Sequence, residues 1–162
     1  MSQCGVIDGL AFARAGTTLA GALDLADLPR LLELGCRQAW IRFAIRGDAA
    51  RRGKPALHVE ATGEVDLTCQ RCLELVTVPI AVRTELELAA SQAEIDLTDD
   101  DVDRVLADPS MAVSELVEDE VILALPMVPT HAQCPVRADD SGGERSSPFA
   151  ALAALKTDRT KR

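Results

Sequence analysis

The sequence predicts an α+β fold: an antiparallel β-sheet, able to curl towards a barrel, with a few helices packed on one face. Three observations predict it. Three segments alternate apolar and polar residues with a period of two, the spacing at which successive side chains of a strand point to opposite faces. Two of these segments are joined by a connection short enough for a hairpin. Each carries one polar face, as in an antiparallel sheet that is wet on one side.

Residues 1–23 mix small and apolar types without a clear period and predict one or two short strands. Asp24 can cap a helix through Ala26–Leu34 that Gly35 ends, shortened by Pro29 inside the pattern. The first strand covers 39–46, where Ala39, Ile41, Phe43 and Ile45 alternate with Trp40, Arg42, Ala44 and Arg46. A charged loop, Gly47 to Gly53, follows. Strand 57–69 puts Leu57, Val59, Ala61, Val65 and Leu67 on one face and His58, Glu60, Thr62, Glu64 and Asp66 on the other. Strand 76–88 repeats the pattern with Val76, Val78, Ile80, Val82, Leu86 and Leu88. Ser110 or Ser114 can cap a helix over 113–124, with Leu116, Val117, Val121 and Ala124 at helical spacing and Pro126 as its stop. These elements make a single domain over 1–134. A polar, Gly/Ser-rich linker at 135–147 follows, then a short helix and basic tail at 148–162 that open on Ser147-Pro148.

Composition narrows the function. Aromatic residues make up 2% of the 162-residue chain, too few for a base-stacking platform. The longest apolar run, Val121 to Val128, contains Pro126 and is far short of a membrane span. The first basic residue is Arg14, so no secretory pattern opens the chain and a cytoplasmic protein is expected. The net charge of −9 is unevenly spread. Segment 37–54 holds six basic residues (Arg37, Arg42, Arg46, Arg51, Arg52, Lys54) against Asp48. Segment 91–120 holds eleven acids against Arg104. The basic segment reads either as a solvated strand and loop or as a phosphate contact made by Trp40, Arg42, Arg46, Arg51, Arg52 and Lys54. The acidic block reads either as a solvated connector or as a docking surface for a basic protein.

Cysteine spacing carries the chemistry. Cys69-Gln-Arg-Cys72 sits at the hairpin turn, and His131-Ala-Gln-Cys134 follows much later, between Pro129 and Pro135. Cys69, Cys72, His131 and Cys134 form a Cys3His set that zinc accepts tetrahedrally if the two pairs meet. The alternative is a pair of half-buried thiols at a tight turn. A thioredoxin-like redox site needs its CxxC at a helix N-terminus, and β-branched strand sequence follows here instead. Cys36, at a helix end, reads as core. His58 lies on a polar strand face with no partner evident. There is no P-loop, GxGxxG, GxSxG or HExxH, and no small-molecule substrate is suggested.

Three separated motifs resemble those of the bacterial YceD family, the large ribosomal RNA subunit accumulation proteins. They are Val65-Asp-Leu-Thr-Cys-Gln-Arg-Cys-Leu-Glu74, Leu116 to Pro129 with His131 and Cys134, and Ser147-Pro-Phe-Ala-Ala-Leu-Ala-Ala-Leu-Lys156. They occur in family order over about 38–156. The resemblance implies a role in synthesis, processing or stability of large-subunit ribosomal RNA, without a known catalytic activity. The first expectation is therefore a non-enzymatic ribosome biogenesis factor that touches large-subunit ribosomal RNA or a basic ribosomal protein. The alternative is a zinc- or thiol-dependent enzyme acting on RNA.

Overall fold

The computed structural model describes residues 5–51, 53–96 and 102–134. The chain divides into two units, Met1–Ala132 and Gln133–Arg162. Only Gln133 and Cys134 of the second are described, so the expected linker and C-terminal helix lie outside the described residues.

The elements run β1 (Val6–Ile7), α1 (Gly9–Arg14), β2 (Thr18–Asp24), a 3-10 turn (Leu25–Asp27), α2 (Pro29–Glu33), β3 (Gln38–Arg51), β4 (Lys54–Thr68), β5 (Leu75–Ala89), α3 (Gln92–Asp96), β6 (Arg104–Leu106), β7 (Met111–Ala112) and α4 (Val113–Ala124). The three alternating segments are β3, β4 and β5, adjacent and antiparallel, with Phe43 opposite Ala61 and Ala61 opposite Val82. Their inward side chains, Ile41, Ile45, Val59, Val65, Ile80 and Leu86 among them, form the core with Val113, Val117 and Val121 of α4. A sheet with one apolar face must bury it against another layer, and here the helices supply that layer.

The expected purely antiparallel, barrel-like sheet needs correction. The five-stranded sheet is open and mixed, in the order β2-β3-β4-β5-β6, with β6 parallel to β5. A parallel pair requires a crossover, and α3 lies in the stretch between β5 and β6. Part of the acidic block expected as a connector is thus an edge of the sheet. A second, two-stranded sheet pairs β1 with β7, Val6 opposite Ala112.

Local expectations shift for identifiable reasons. The loop at 47–53 is mostly strand: β3 runs on to Arg51, irregular between Asp48 and Arg51, and Gly53 turns the chain at φ +86°. Gly47 has no side chain because α1 sits there. A Cβ at Gly47 would clash with the Phe12 carbonyl and lie 2.7 Å from the Ala13 Cα. The region before β2 holds α1, capped by Asp8 through a 2.9 Å bond from the Ala11 N–H. Asp24 caps the 3-10 turn in a capping box, and Pro29 opens α2 as its first residue. Helix α4 covers the expected span, but Ala112 rather than a serine is its N-cap.

Candidate metal centre

The tip of the β4–β5 hairpin is a tight turn built around Cys69. The Cys69 N–H donates to the Glu74 carbonyl at 2.8 Å, and the Leu73 N–H returns to the Cys69 carbonyl at 3.0 Å. Leu73 stands at φ +65°, a left-handed conformation that L-residues other than glycine, asparagine and aspartate seldom adopt. This turn brings Cys69 and Cys72 to one side, both buried. Among the described residues, Cys36, Cys69, Cys72 and Cys134 are all thiols, outside any disulfide.

The segment after α4 closes over this turn. The Gln70 N–H donates to the Pro129 carbonyl at 2.9 Å, and an Arg71 Nη2–H donates to the His131 carbonyl at 2.9 Å. His131 Nδ1 then lies 3.4 Å from the Cys72 sulfur. His131 Nε2 lies 2.9 Å from the Leu75 carbonyl. A carbonyl can only accept, so Nε2 carries the ring proton and Nδ1 presents its lone pair towards the sulfur. A metal-binding histidine is commonly held in this way: one nitrogen donates to a fixed acceptor and the other is free to ligate.

The ligand atoms of Cys69, Cys72, His131 and Cys134 all lie within 4.8 Å of one another. Separations of this size allow one ion to be shared, since Zn–S and Zn–N bonds of roughly 2.0–2.3 Å place tetrahedral ligands close to four ångströms apart. Burial acts to raise the Cys69 thiol. Hydrogen bonds from the backbone N–H groups of Cys72, Arg71 and His131, with the Cys72 thiol, outweigh it and bring Cys69 down to about 5. The turn thus favours a thiolate at Cys69, the form that binds metal. The donor set and its surroundings fit zinc. The Arg71 brace and the Leu75 carbonyl had no signature in the sequence, since one is a surface arginine and the other a backbone atom. Cys36 is core as expected: its thiol donates to the Gln38 carbonyl at 3.1 Å, and burial pushes it up.

The candidates for RNA contact are placed differently. Trp40, Arg42 and Arg46 share the solvent face of β3, opposite the buried Ile41, Phe43 and Ile45. The Arg42 guanidinium lies 5.2 Å from the Trp40 ring centroid, a cation–π contact that orders both side chains. Arg46 is exposed, opposite His58 on β4, and His58 Nε2 stands 3.5 Å from an Asp48 oxygen. Lys54 forms a hydrogen-bonded ion pair with Glu94 of α3. The backbone of Arg51 pairs with Lys54, while its side chain and the whole of Arg52 lie outside the described residues.

No curated protein and no solved structure matches the chain. A family model described as "Large ribosomal RNA subunit accumulation protein YceD" matches residues 57–156, more than half of the chain. The match takes in the Cys69–Cys72 turn, α4 and His131, and begins after β3, later than the resemblance from about residue 38 suggested. The alternating strands, the cysteine turn and the segment that closes over it all point the same way, and the chain belongs to the YceD family of large ribosomal RNA subunit accumulation proteins.

Proposed function

We propose that this protein supports the accumulation of large-subunit ribosomal RNA as a cytoplasmic binding factor rather than a catalyst, and that Cys69, Cys72, His131 and Cys134 hold a structural zinc ion. The observation that carries this reading is the orientation of His131, whose Nε2 proton is given to Leu75 so that Nδ1 faces the cysteines. With four protein ligands the tetrahedral shell is complete. Hydrolytic zinc enzymes keep three and leave a position for water. A zinc here would pin the hairpin tip to the segment following α4, which adds to folding stability. That disfavours the zinc-dependent enzyme.

RNA contact is assigned to the outer face of β3, through Trp40, Arg42 and Arg46, which offers two cations and a ring to phosphate and base. Among the described residues no helix is long and apolar enough to cross a membrane.

The test is complementation. Cells lacking the protein should show a reduced ratio of large- to small-subunit ribosomal RNA. The wild-type chain should restore the ratio, and Cys69→Ser/Cys72→Ser should not. Purified wild-type protein should contain about one zinc per chain. An unchanged ratio in the deletion strain overturns the ribosomal reading. Full rescue by the double variant, with no zinc in the wild type, overturns the metal reading.

A further inference from the structure

Between α4 and the β5–β6 edge lies an open pocket of about 530 Å3, on the face of the sheet that the helices cover. Its lining combines apolar Val82, Leu86 and Leu123 and acidic Asp103, Asp119 and Glu120 with one cation, Arg104. Acids on a surface mean little alone, but Glu120 is only 6% exposed. Among the described residues three acids are buried: Glu87, Glu118 and Glu120. Glu87 has Arg104 at 3.2 Å, and Glu118 has Arg30 at 2.9 Å. The Glu120 carboxylate has no hydrogen bond or ion pair with a described residue and opens instead into the pocket. Solvent reaches this carboxylate only through the pocket, so a positive group brought there pairs with a charge that has no cation among the described residues.

We propose that this pocket receives a lysine or arginine side chain of a basic polypeptide. The apolar wall suits the aliphatic stem of such a side chain, and Glu120 and Asp103 take its charged head. Asp119 is already engaged by Arg30, and Arg104 on the same wall by Glu87. A bare divalent ion is a poorer fit. The three carboxylates do not converge as a shared ligand set in the way the Cys69 cluster does. Nucleic acid is repelled by the same carboxylates. The volume accommodates more than one side chain, and Leu123, 80% exposed, offers an apolar contact to the residue that follows. The excess of acids over 91–120 steers a basic partner towards this side at long range. The inference depends on neither the metal centre nor the β3 face.

The test uses the full chain and a fluorescent peptide, Gly-Lys-Arg-Gly-Lys-Arg-Gly, with its glutamine counterpart as the neutral probe. Glu120→Gln is compared with Glu64→Gln, which removes the same charge from the exposed face of β4. Anisotropy should show Glu120→Gln weakening the basic peptide by about tenfold or more, the scale expected for a desolvated charge pair. Glu64→Gln should change it by less than about twofold, as for an exposed charge. The neutral peptide should not bind. The melting temperature of Glu120→Gln should equal or exceed wild type, because the carboxylate has no partner among the described residues to lose. Equal losses in the two variants would reduce the binding to diffuse attraction and overturn the proposal. A clear fall in the melting temperature of Glu120→Gln would give Glu120 a structural partner and overturn it too. Competition by an RNA oligonucleotide for the same pocket would do the same.

Discussion

Glu118 links α4 to α2, and its removal separates two energetic terms that usually come together. The side chain is 1% exposed. One oxygen accepts from the Leu31 N–H at 2.9 Å and the other from Arg30 Nε–H at 2.9 Å. Helix α2 has no side-chain cap of its own, so Glu118 satisfies from another helix a donor that the first turn leaves unpaired. In Glu118→Ala the buried Leu31 N–H loses its partner, which costs about 1–3 kcal/mol. The Cγ methylene lost at a closed site costs about 1 kcal/mol more. The Arg30 ion pair adds little, because Arg30 is 42% exposed at its side chain and keeps Asp119 and the Glu115 carbonyl. The expected total is about 2–4 kcal/mol. Glu118→Gln retains the acceptor for Leu31 and loses only the charge, at an expected cost of about 1 kcal/mol. Urea unfolding followed by circular dichroism measures both. Trp40 fluorescence is a poorer probe, because that ring is 53% exposed in the native state. Equal losses in the two variants would refute the reasoning, since the cap on α2 would then contribute nothing.

Further outcomes follow from other contacts. Gly47→Ala should destabilise the protein by about 1–3 kcal/mol, because its methyl meets the α1 backbone rather than a flexible side chain, and hydrogen exchange should quicken first in α1. In metal-free protein Cys69 titrates at about 5 when folded, against an ordinary 9.0. Its contribution to stability is therefore complete above about 9 and lost as pH falls towards 5. Melting temperatures across that window should rise with pH, and Cys69→Ser should remove that part of the slope. If β3 contacts RNA, Arg42→Ala/Arg46→Ala should reduce the slope of log affinity against log salt by about 1.4, roughly 0.7 for each single-strand phosphate contact. An unchanged slope would point away from β3.

Legibility followed range along the chain. The three long strands were readable because alternation is local, and each buried residue lies two positions from the next. Helix α4 was readable for the same reason, down to its stop at Pro126. Helix α1 was missed: it is only six residues long and rich in alanine, though Asp8 ahead of Leu10 and Ala13 is a cap signal that was present. The parallel pairing of β6 was hidden because three residues inside an acidic run carry no period, and the pairing is set by the crossover. Glu118 and Glu120 lie in a block that reads as a solvated connector or as a docking surface, and nothing nearby in sequence announces Arg30 or the pocket. Of the metal centre, the donor types and their pairing were legible. The meeting of Cys72 with His131 was not, because it depends on how the segment beyond α4 lies across the hairpin.

The small β1–β7 sheet has a consequence for the order of folding during synthesis. Val6 pairs with Ala112, more than a hundred residues later, and the Val113 N–H donates to the Gly5 carbonyl at 3.2 Å. Strand β1 leaves the ribosome before β2 to β5 and yet waits for residues 111–112 before it can pair. The meander from β2 to β5 needs only its neighbours and can assemble while the rest of the chain is still being made. Helix α4 and the segment bearing His131 arrive afterwards, so closure of β1 and of the cysteine turn both wait until the meander has been made. A chain truncated before residue 111, which lacks β7, should hold the meander but leave β1 open to protease.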